Sequence, residues 1–443
     1  MDRAESSDHS GMAASGLGDG LASNVQPAAP AEAPAVPAER FATHVNLDVQ
    51  VAAKDEFQPL QLGEGRVSSE GVIPVWPPVV LAPMAGVTNL AFRSLCREYG
   101  AGLYVSEMIT ARGYLMGNRL TNLLASSSPD ESPRSVQVYG ADPVDLGEMV
   151  KSLVDDGVDH LDINMGCPVP KVTRSGGGSA IPVKPRLLAR LVRAMVQNAG
   201  NVPVTVKMRM GIQDDLLTYE EAGRAAEGEG ASAVGLHART ASQLYSGEAN
   251  WASIAHLVDI LDVPVLGNGD IWESYDALRM MRATGCAGVI VGRGCLGRPW
   301  LFRELSQAFN GEEPDLPPHF AGVVEVMVDH AHRLIELFGP DVGMRQMRKW
   351  CSWYTKGFRG SAAVRGNLMR VKSIEDLVSA VSTLDPDEAF PTTALRAQRA
   401  KGSKTQTVKL PEGYLDDLND DTPPKSPRSV EEIEAWEKAL NGG

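Results

Sequence analysis

One thiol in this chain stands where it could move a proton: Cys167, in the stretch DINMGCPVPKVTRSGGGSAI (162–181). A cysteine titrating at about 8.5 is mostly protonated at neutral pH, so it can act as a general acid as readily as a nucleophile. The Pro- and Gly-rich residues after it suit a mobile lid. Lys171 and Arg174 follow it, but no base precedes it closely enough to force thiolate character. The commoner fate of a cysteine is burial as a small inert hydrophobe. Cys96, Cys286, Cys295 and Cys351 are read that way.

A second chemistry is anion binding. VLGNGDI (265–271) and VGRG (291–294) bring glycines that let backbone N–H groups approach a phosphate, and Arg293 adds a charge-assisted donor. The same glycines would also serve tight turns. The phosphate of a flavin mononucleotide, or of a substrate, would satisfy such a grip. Lys207, in VTVKMRMG, lies inside a β-branched run, where an unpaired ammonium is costly to bury. It either offers its charge to an anionic ring or snorkels from a strand end.

The third signal is a surface. Residues 342–372 carry eight bases (Arg345, Arg348, Lys349, Lys356, Arg359, Arg365, Arg370, Lys372) and no acid. Trp350, Trp353, Tyr354 and Phe358 are interleaved with them, able to stack on exposed nucleobases or to pack a core. A solvated helix face usually mixes acids with its bases. The stretch therefore reads as an RNA contact.

These residues need elements to hold them. Eight short β-branched runs, at 79–86, 103–109, 135–140, 160–168, 202–211, 233–240, 263–271 and 288–294, are each followed by helix-length sequence. Apolar strands buried on both faces imply a parallel sheet wrapped by helices. Eight such units predict an α/β fold, a (β/α)8 TIM barrel; a doubly wound sheet is the alternative. Met84, Glu107, Gln137, Asn164 with Cys167, Lys207 with Arg209, His237 with Arg239, Asn268 with Asp270, and Arg293 fall at strand ends, where a barrel builds its active-site mouth. After GEEPDLPP (311–318) the pattern becomes purely helical, a smaller all-α bundle of about four helices. The expected organisation is a disordered Ala/Pro-rich extension over 1–45, the barrel over 46–312, the helical domain over 313–400, and an acidic, mostly disordered tail over 401–443 containing a candidate helix at 431–440.

Charge excludes less than it first suggests. The net −14 is concentrated at the ends: residues 1–60 and 411–443 each hold nine acids and three bases, which leaves −2 for everything between. Five widely spaced cysteines with no CxxC pair fit a reducing compartment and no zinc site. No apolar run is long enough for a membrane span, and no signal-peptide plan opens the chain. The expectations are a cytoplasmic monomer with no metal and no membrane. There is no G-x-x-x-x-G-K-[ST] loop, so a dedicated nucleotide domain of that kind is not expected.

Taken in order, LAPMAGVTNLAFR (81–93), SEM (106–108), DINMGCP, VKMRMG (206–211), HART (237–240), NGD (268–270), VGRGCLGRPW (291–300) and WYTKGFRG (353–360) resemble the bacterial tRNA-dihydrouridine synthase family over about residues 74–390. The resemblance implies that Pro83, Met84, Ala85, Gln137, Lys207, His237, Asn268, Gly269, Asp270, Gly292 and Arg293 hold FMN. It implies Cys167 as the catalytic acid, with Asn164, Lys171 and Arg174 near the target base. Arg345, Arg348, Lys349, Lys356 and Arg359 are expected on the tRNA, with NADPH or NADH as reductant. The chain departs from the family pattern at Pro170, at Ala238 and in SGGGSAI. Two rivals remain: an FMN enzyme of free pyrimidines, similar to a dihydroorotate dehydrogenase, and a non-catalytic RNA-binding protein on a relict barrel.

Overall fold

The computed structural model describes residues 50–63, 71–399 and 404–424. The expected extension at 1–45 and the candidate helix at 431–440 lie outside the described residues.

Nine strand segments form one parallel sheet: β1 Val79–Leu81, β2 Leu103–Tyr104, β3 Ile109–Thr110, β4 Ser135–Tyr139, β5 His160–Met165, β6 Val204–Arg209, β7 Ala233–His237, β8 Val265–Asn268 and β9 Gly288–Val291. Their order is β2-β1-β9-β8-β7-β6-β5-β4-β3. The segments β2 and β3 are two pieces of one barrel stave, interrupted at Ser106-Glu107-Met108. A parallel bridge from Val105 to Ser135 closes the circle. The eight predicted staves are thus present, and the extra segment comes from the break. That break turns the Glu107 carboxylate inward, where it accepts the N–H of Gly86.

Parallel register sets the polar strand ends level with one another. Gln137 lies beside Asp162, Asn164 beside Lys207, and His237 beside Asn268. A short antiparallel hairpin, Leu60–Leu62 with Ile73–Val75, packs Leu60, Leu62 and Val75 against Val80, Leu103, Ala233, Leu266 and Ile290. It covers barrel strands that would otherwise expose apolar side chains.

Four helices follow the barrel: α1 Phe320–Phe338, α2 Pro340–Tyr354, α3 Ser361–Leu368 and α4 Ile374–Val381. They share one continuous core with the barrel. Trp350 of α2 is fully buried, its ring centroid 4.4 Å from that of Phe92 on the first barrel helix, Leu90–Glu98. Arg333 of α1 reinforces the seam with two bonds to Glu98, at 2.7 and 2.8 Å. Gly297 has φ +66°, and a side chain there would strike the backbone of Trp353. The last barrel loop therefore lies flush on α2. Trp350, Tyr354 and Phe358 are core residues, so of their two possible uses the structure selects packing.

The loop after Cys167, expected to suit a mobile lid, contains a helical turn at Pro170–Thr173, whose Val172 packs with Tyr139 of β4, and a 3-10 helix at Gly178–Val183 packed on β5 and β6. Within the tail, expected to be mostly disordered, residues 404–424 lie in extended and turn conformation against that loop.

Candidate active site

Lys207 is the residue on which the barrel's polar interior turns. It shares one face of β6 with Arg209, because alternate residues of a strand point the same way. Its ammonium donates to Asn268 Oδ1 at 3.1 Å, and Asn268 is fixed by donating to the Ile290 carbonyl at 2.8 Å. Burial, with Arg209 nearby, pulls the Lys207 pKa down to about 8, against the pull of Asp162. Burial likewise pushes Asp162 up to about 6, although it accepts hydrogen bonds from Thr205 (2.6 Å) and Gln137 (2.7 Å).

From Asp162 a chain of hydrogen bonds reaches the backbone of Cys167. The Gln137 side-chain oxygen accepts from Asn164 Nδ2 at 2.8 Å, and Asn164 Oδ1 accepts the backbone N–H of Gly166 and Cys167 at 3.2 and 2.9 Å. Cys167 is half-buried, unlike the four other cysteines, which are buried. It packs with Met108, Tyr139, Val169 and Val172. The base that sequence spacing could not supply arrives from a neighbouring strand. Arg209 donates to the Gly166 carbonyl at 3.0 Å and to the Thr240 and Leu244 carbonyls at 2.9 Å each. Its positive charge lies close enough to act on Cys167.

The anion grip forms at the ends of β7, β8 and β9. Arg239 bonds both oxygens of Asp270 at 2.8 and 2.7 Å, and Arg293 pairs with the same carboxylate at 3.7 Å. Asp270 also accepts the Ala249 N–H at 2.7 Å. Its carboxylate is thus engaged in orienting the arginines, and what it offers a ligand directly is backbone. Among the described residues, one guanidinium nitrogen of Arg239 and one of Arg293 are buried without a hydrogen-bond partner. Buried donors of that kind call for an acceptor. A side chain built at Gly292 would meet Ala82 at 3.8 Å and Met84 at 3.9 Å, ordinary van der Waals contact. The Arg293 guanidinium also lies 4.4 Å from the Tyr245 ring centroid, and the ring of His237 lies 6.1 Å from it. Burial, with Arg209, Lys207, Arg239 and Arg293 around it, holds His237 neutral.

The remaining predicted residues divide. Pro83 lines a small interior cavity with Lys207, Asp162 and His160; Ala85 is exposed and Met84 half-buried beside Gly292. Gly269, with φ +137°, is buried, and its carbonyl accepts from Trp251 Nε1 at 3.1 Å. Lys171 is half-buried and Arg174 exposed on the turn after Cys167. Arg345, Arg359, Arg365, Arg370 and Lys372 are exposed. The other three bases turn inward: Arg348 donates to the Val371 carbonyl at 3.0 Å, Lys356 to the Gln398 carbonyl at 2.6 Å, and Lys349 to the Gly86 carbonyl. Lys349 approaches Glu107, whose pKa burial raises to about 7. It is a strut between bundle and mouth. Tyr245 and Asp162 are site residues that the motifs do not single out; Arg209 and Arg239 are expected at strand ends, but with no role assigned to them.

The fold and site define a class: a (β/α)8 barrel with a thiol at one strand end, buried arginines around Asp270 at its last strands, and a helical appendage with exposed bases. The model of the family described as dihydrouridine synthase matches residues 80–393. A Mycobacterium leprae protein described as "Probable tRNA-dihydrouridine synthase" is 46% identical over 375 residues, covering 78% of this chain and 97% of that one. A Mycobacterium tuberculosis protein of the same description is 48% identical over 361 residues, covering 79% and 92%. The "tRNA-dihydrouridine synthase B" of Xanthomonas axonopodis pv. citri is 39% identical over 303 residues, covering 68% and 91%. The chain belongs to the dihydrouridine synthase family.

Proposed function

We propose that the protein reduces the carbon 5–carbon 6 double bond of uridines in tRNA, with flavin mononucleotide as its cofactor. One observation carries the reading: the backbone of a half-buried cysteine is hydrogen-bonded to a polar chain ending at Asp162, whose charge acts on Lys207, in a mouth where two buried arginine donors are unpartnered among the described residues. The residues fit the flavin. The unpartnered guanidinium nitrogens of Arg239 and Arg293 suit its phosphate, with Gly292 close by. Pro83, Met84, Ala85, Gln137, Lys207, His237, Asn268, Gly269 and Asp270 would line the rest. Bound and reduced there by NADPH or NADH, the flavin supplies a hydride for carbon 6 of the uracil.

The protein's own part is the proton. As the carbon 5–carbon 6 bond opens, its electron pair is drawn toward carbon 5 and the carbon 4 carbonyl. The Cys167 thiol then delivers its proton to carbon 5. Arg209 stands where it stabilises the thiolate left behind. Asn164 fixes the backbone that carries the thiol, and the chain through Gln137 and Asp162 fixes Asn164. A base buried in folded tRNA must be swung out to reach such a mouth. Arg174 and the exposed bases Arg345, Arg359, Arg365, Arg370 and Lys372 supply phosphate contacts for the RNA meanwhile. An enzyme of free pyrimidines would have no use for that face.

The test separates the two half-reactions. Cys167→Ala should bind flavin and accept electrons from NADPH at the normal rate, because no proton is delivered to uracil in that half. Reoxidation of its flavin by tRNA should slow by about 10² to 10⁴, the usual worth of a positioned general acid. Stopped-flow absorbance reads both. Normal reoxidation in the variant would sink the role of Cys167, and colourless purified protein would sink the flavin.

A further inference from the structure

The matched family region ends at residue 393, yet residues 404–424 are ordered against the barrel mouth. Resting on the function proposed above, we infer that this segment is a strap that holds the Cys167 loop in working geometry, with Gln406 as its positioning residue.

The attachment is built in three places. Gln406 is the first. Its side-chain N–H2 donates to the Pro168 carbonyl at 2.7 Å, one residue beyond Cys167, and to the Ala241 carbonyl at 3.1 Å. Its backbone N–H donates to the Ser242 carbonyl at 2.9 Å. A single residue thereby joins the loop after β5 to the loop after β7. Those two loops are also the pair that Arg209 joins from inside the barrel.

Second is a small core of its own. Gln406, Val408 and Leu410 face the barrel while Thr407 and Lys409 face solvent, the alternation of an extended strand. Val408, Leu410 and Tyr414 pack on Ala180, Val183, Ile212 and Leu216, a cluster separate from the main core. The Tyr414 hydroxyl is shared between the Ala180 and Gly176 carbonyls, at 3.2 and 3.4 Å.

Third is charge. Lys184 pairs with Asp420 at 2.6 Å and sits 4.5 Å from the Tyr414 ring centroid; Arg190 pairs with Asp421 at 3.2 Å.

The glycine run within the loop matches this arrangement residue by residue. A side chain at Gly176 would press on Pro424 and the Tyr414 ring at 3.0 to 3.2 Å. At Gly177 it would strike the Tyr139 hydroxyl, and at Gly178 the Cys167 carbonyl. One glycine thus admits the strap, and its two neighbours bring the loop down onto the tyrosine and the cysteine. A loop pinned on both sides of its thiol keeps the thiol aimed. Misplacement of a reacting group by about 1 Å costs on the order of 10²-fold.

Three variants of the full chain test this: Gln406→Ala, Tyr414→Ala, and a stop after residue 403. Flavin content and flavin reduction by NADPH serve as folding controls and should match wild type. Cys167 should be alkylated by iodoacetamide several-fold faster, read by mass spectrometry, with deuterium uptake rising in peptides from 167–184. Reoxidation by saturating tRNA should slow by roughly tenfold, with the KM for tRNA little changed, as misaiming rather than weakened binding requires. Gln406→Asn tests the donor itself. An unchanged alkylation rate in all three variants would overturn the strap. Faster alkylation with normal tRNA-driven reoxidation would overturn its positioning role, and faster turnover would make it an inhibitory flap. A wild-type flavin that tRNA cannot reoxidise would instead overturn the proposed activity, and alkylation then decides the strap by itself.

Discussion

Asp270 and the rings of Tyr245 and Trp272 lie against Arg293, while one terminal nitrogen is buried and unpartnered among the described residues. Burial pulls its pKa down to about 10, so the site carries a strained charge that an anion would relieve. Arg293→Ala should therefore release flavin more readily, by roughly ten- to a hundredfold in Kd, the worth of a hydrogen bond to a charged group. Flavin fluorescence in the filtrate after dilution and ultrafiltration measures this, and tight retention would remove Arg293 from the phosphate site. The residues that sequence disclosed are those whose chemistry is conspicuous at a strand end: Cys167, Lys207, Asn268, Arg293. Arg239 and Arg209 are legible as polar strand ends, but the partners they bond are not. Arg239 bonds the Ser246 and Gly247 carbonyls, and Arg209 bonds that of Leu244; no local pattern announces where those carbonyls will come to rest. Lys349 misled for the same reason. It stands among surface bases in sequence, but its partner Gly86 belongs to the first barrel loop.

The seam between barrel and bundle carries a neutral buried histidine. His330 of α1 lies between Phe92, Trp350 and Tyr354, with Nδ1 3.1 Å from the Tyr354 hydroxyl and Nε2 buried without a partner among the described residues. Burial lowers its pKa to about 3. The unfolded chain takes up this proton near 6.5 and the folded one only near 3. The stability contributed is whole above about 6.5 and is lost as pH falls toward 3, by about 1.4 kcal/mol per pH unit. His330→Gln should be less stable than wild type at pH 7, and the gap should narrow steadily from pH 6 to pH 4. Urea titrations at each pH measure it; a constant gap would mean that His330 is charged in the folded protein. Strand–helix alternation made the barrel legible, and the pure helical pattern after residue 318 made the bundle so. The broken second stave was less visible, because SEM reads as an ordinary continuation of its strand. The strap's alternation in QTVKL is a strand signal that the surrounding acids obscured.

Over the whole molecule, charge is sorted by location. With the acids concentrated toward the two ends of the chain, the bundle can present Arg345, Arg359, Arg365, Arg370 and Lys372 on its exterior. Reversing Arg345, Arg365 and Arg370 to Glu should weaken tRNA binding and flatten the plot of log K against log salt, by roughly 0.7 to 0.9 for each phosphate no longer neutralised. Flavin reduction should continue unchanged. The same reversal at Lys349 should behave differently, disturbing the mouth through Gly86 and Glu107. Equal salt slopes in wild type and the triple variant would take the bundle off the RNA.

The shared core has a consequence for how the protein is made. Phe92 emerges from the ribosome early, yet the Trp350 and His330 that cover it are translated only after the last barrel strand. Gln406, which joins two barrel-mouth loops, comes later still. A nascent barrel therefore waits with an apolar helix face uncovered and its thiol loop unbraced. Synthesis interrupted before the bundle leaves a sticky intermediate fit for chaperones or proteases, and the barrel mouth reaches its final form only after both the bundle and the strap have been made.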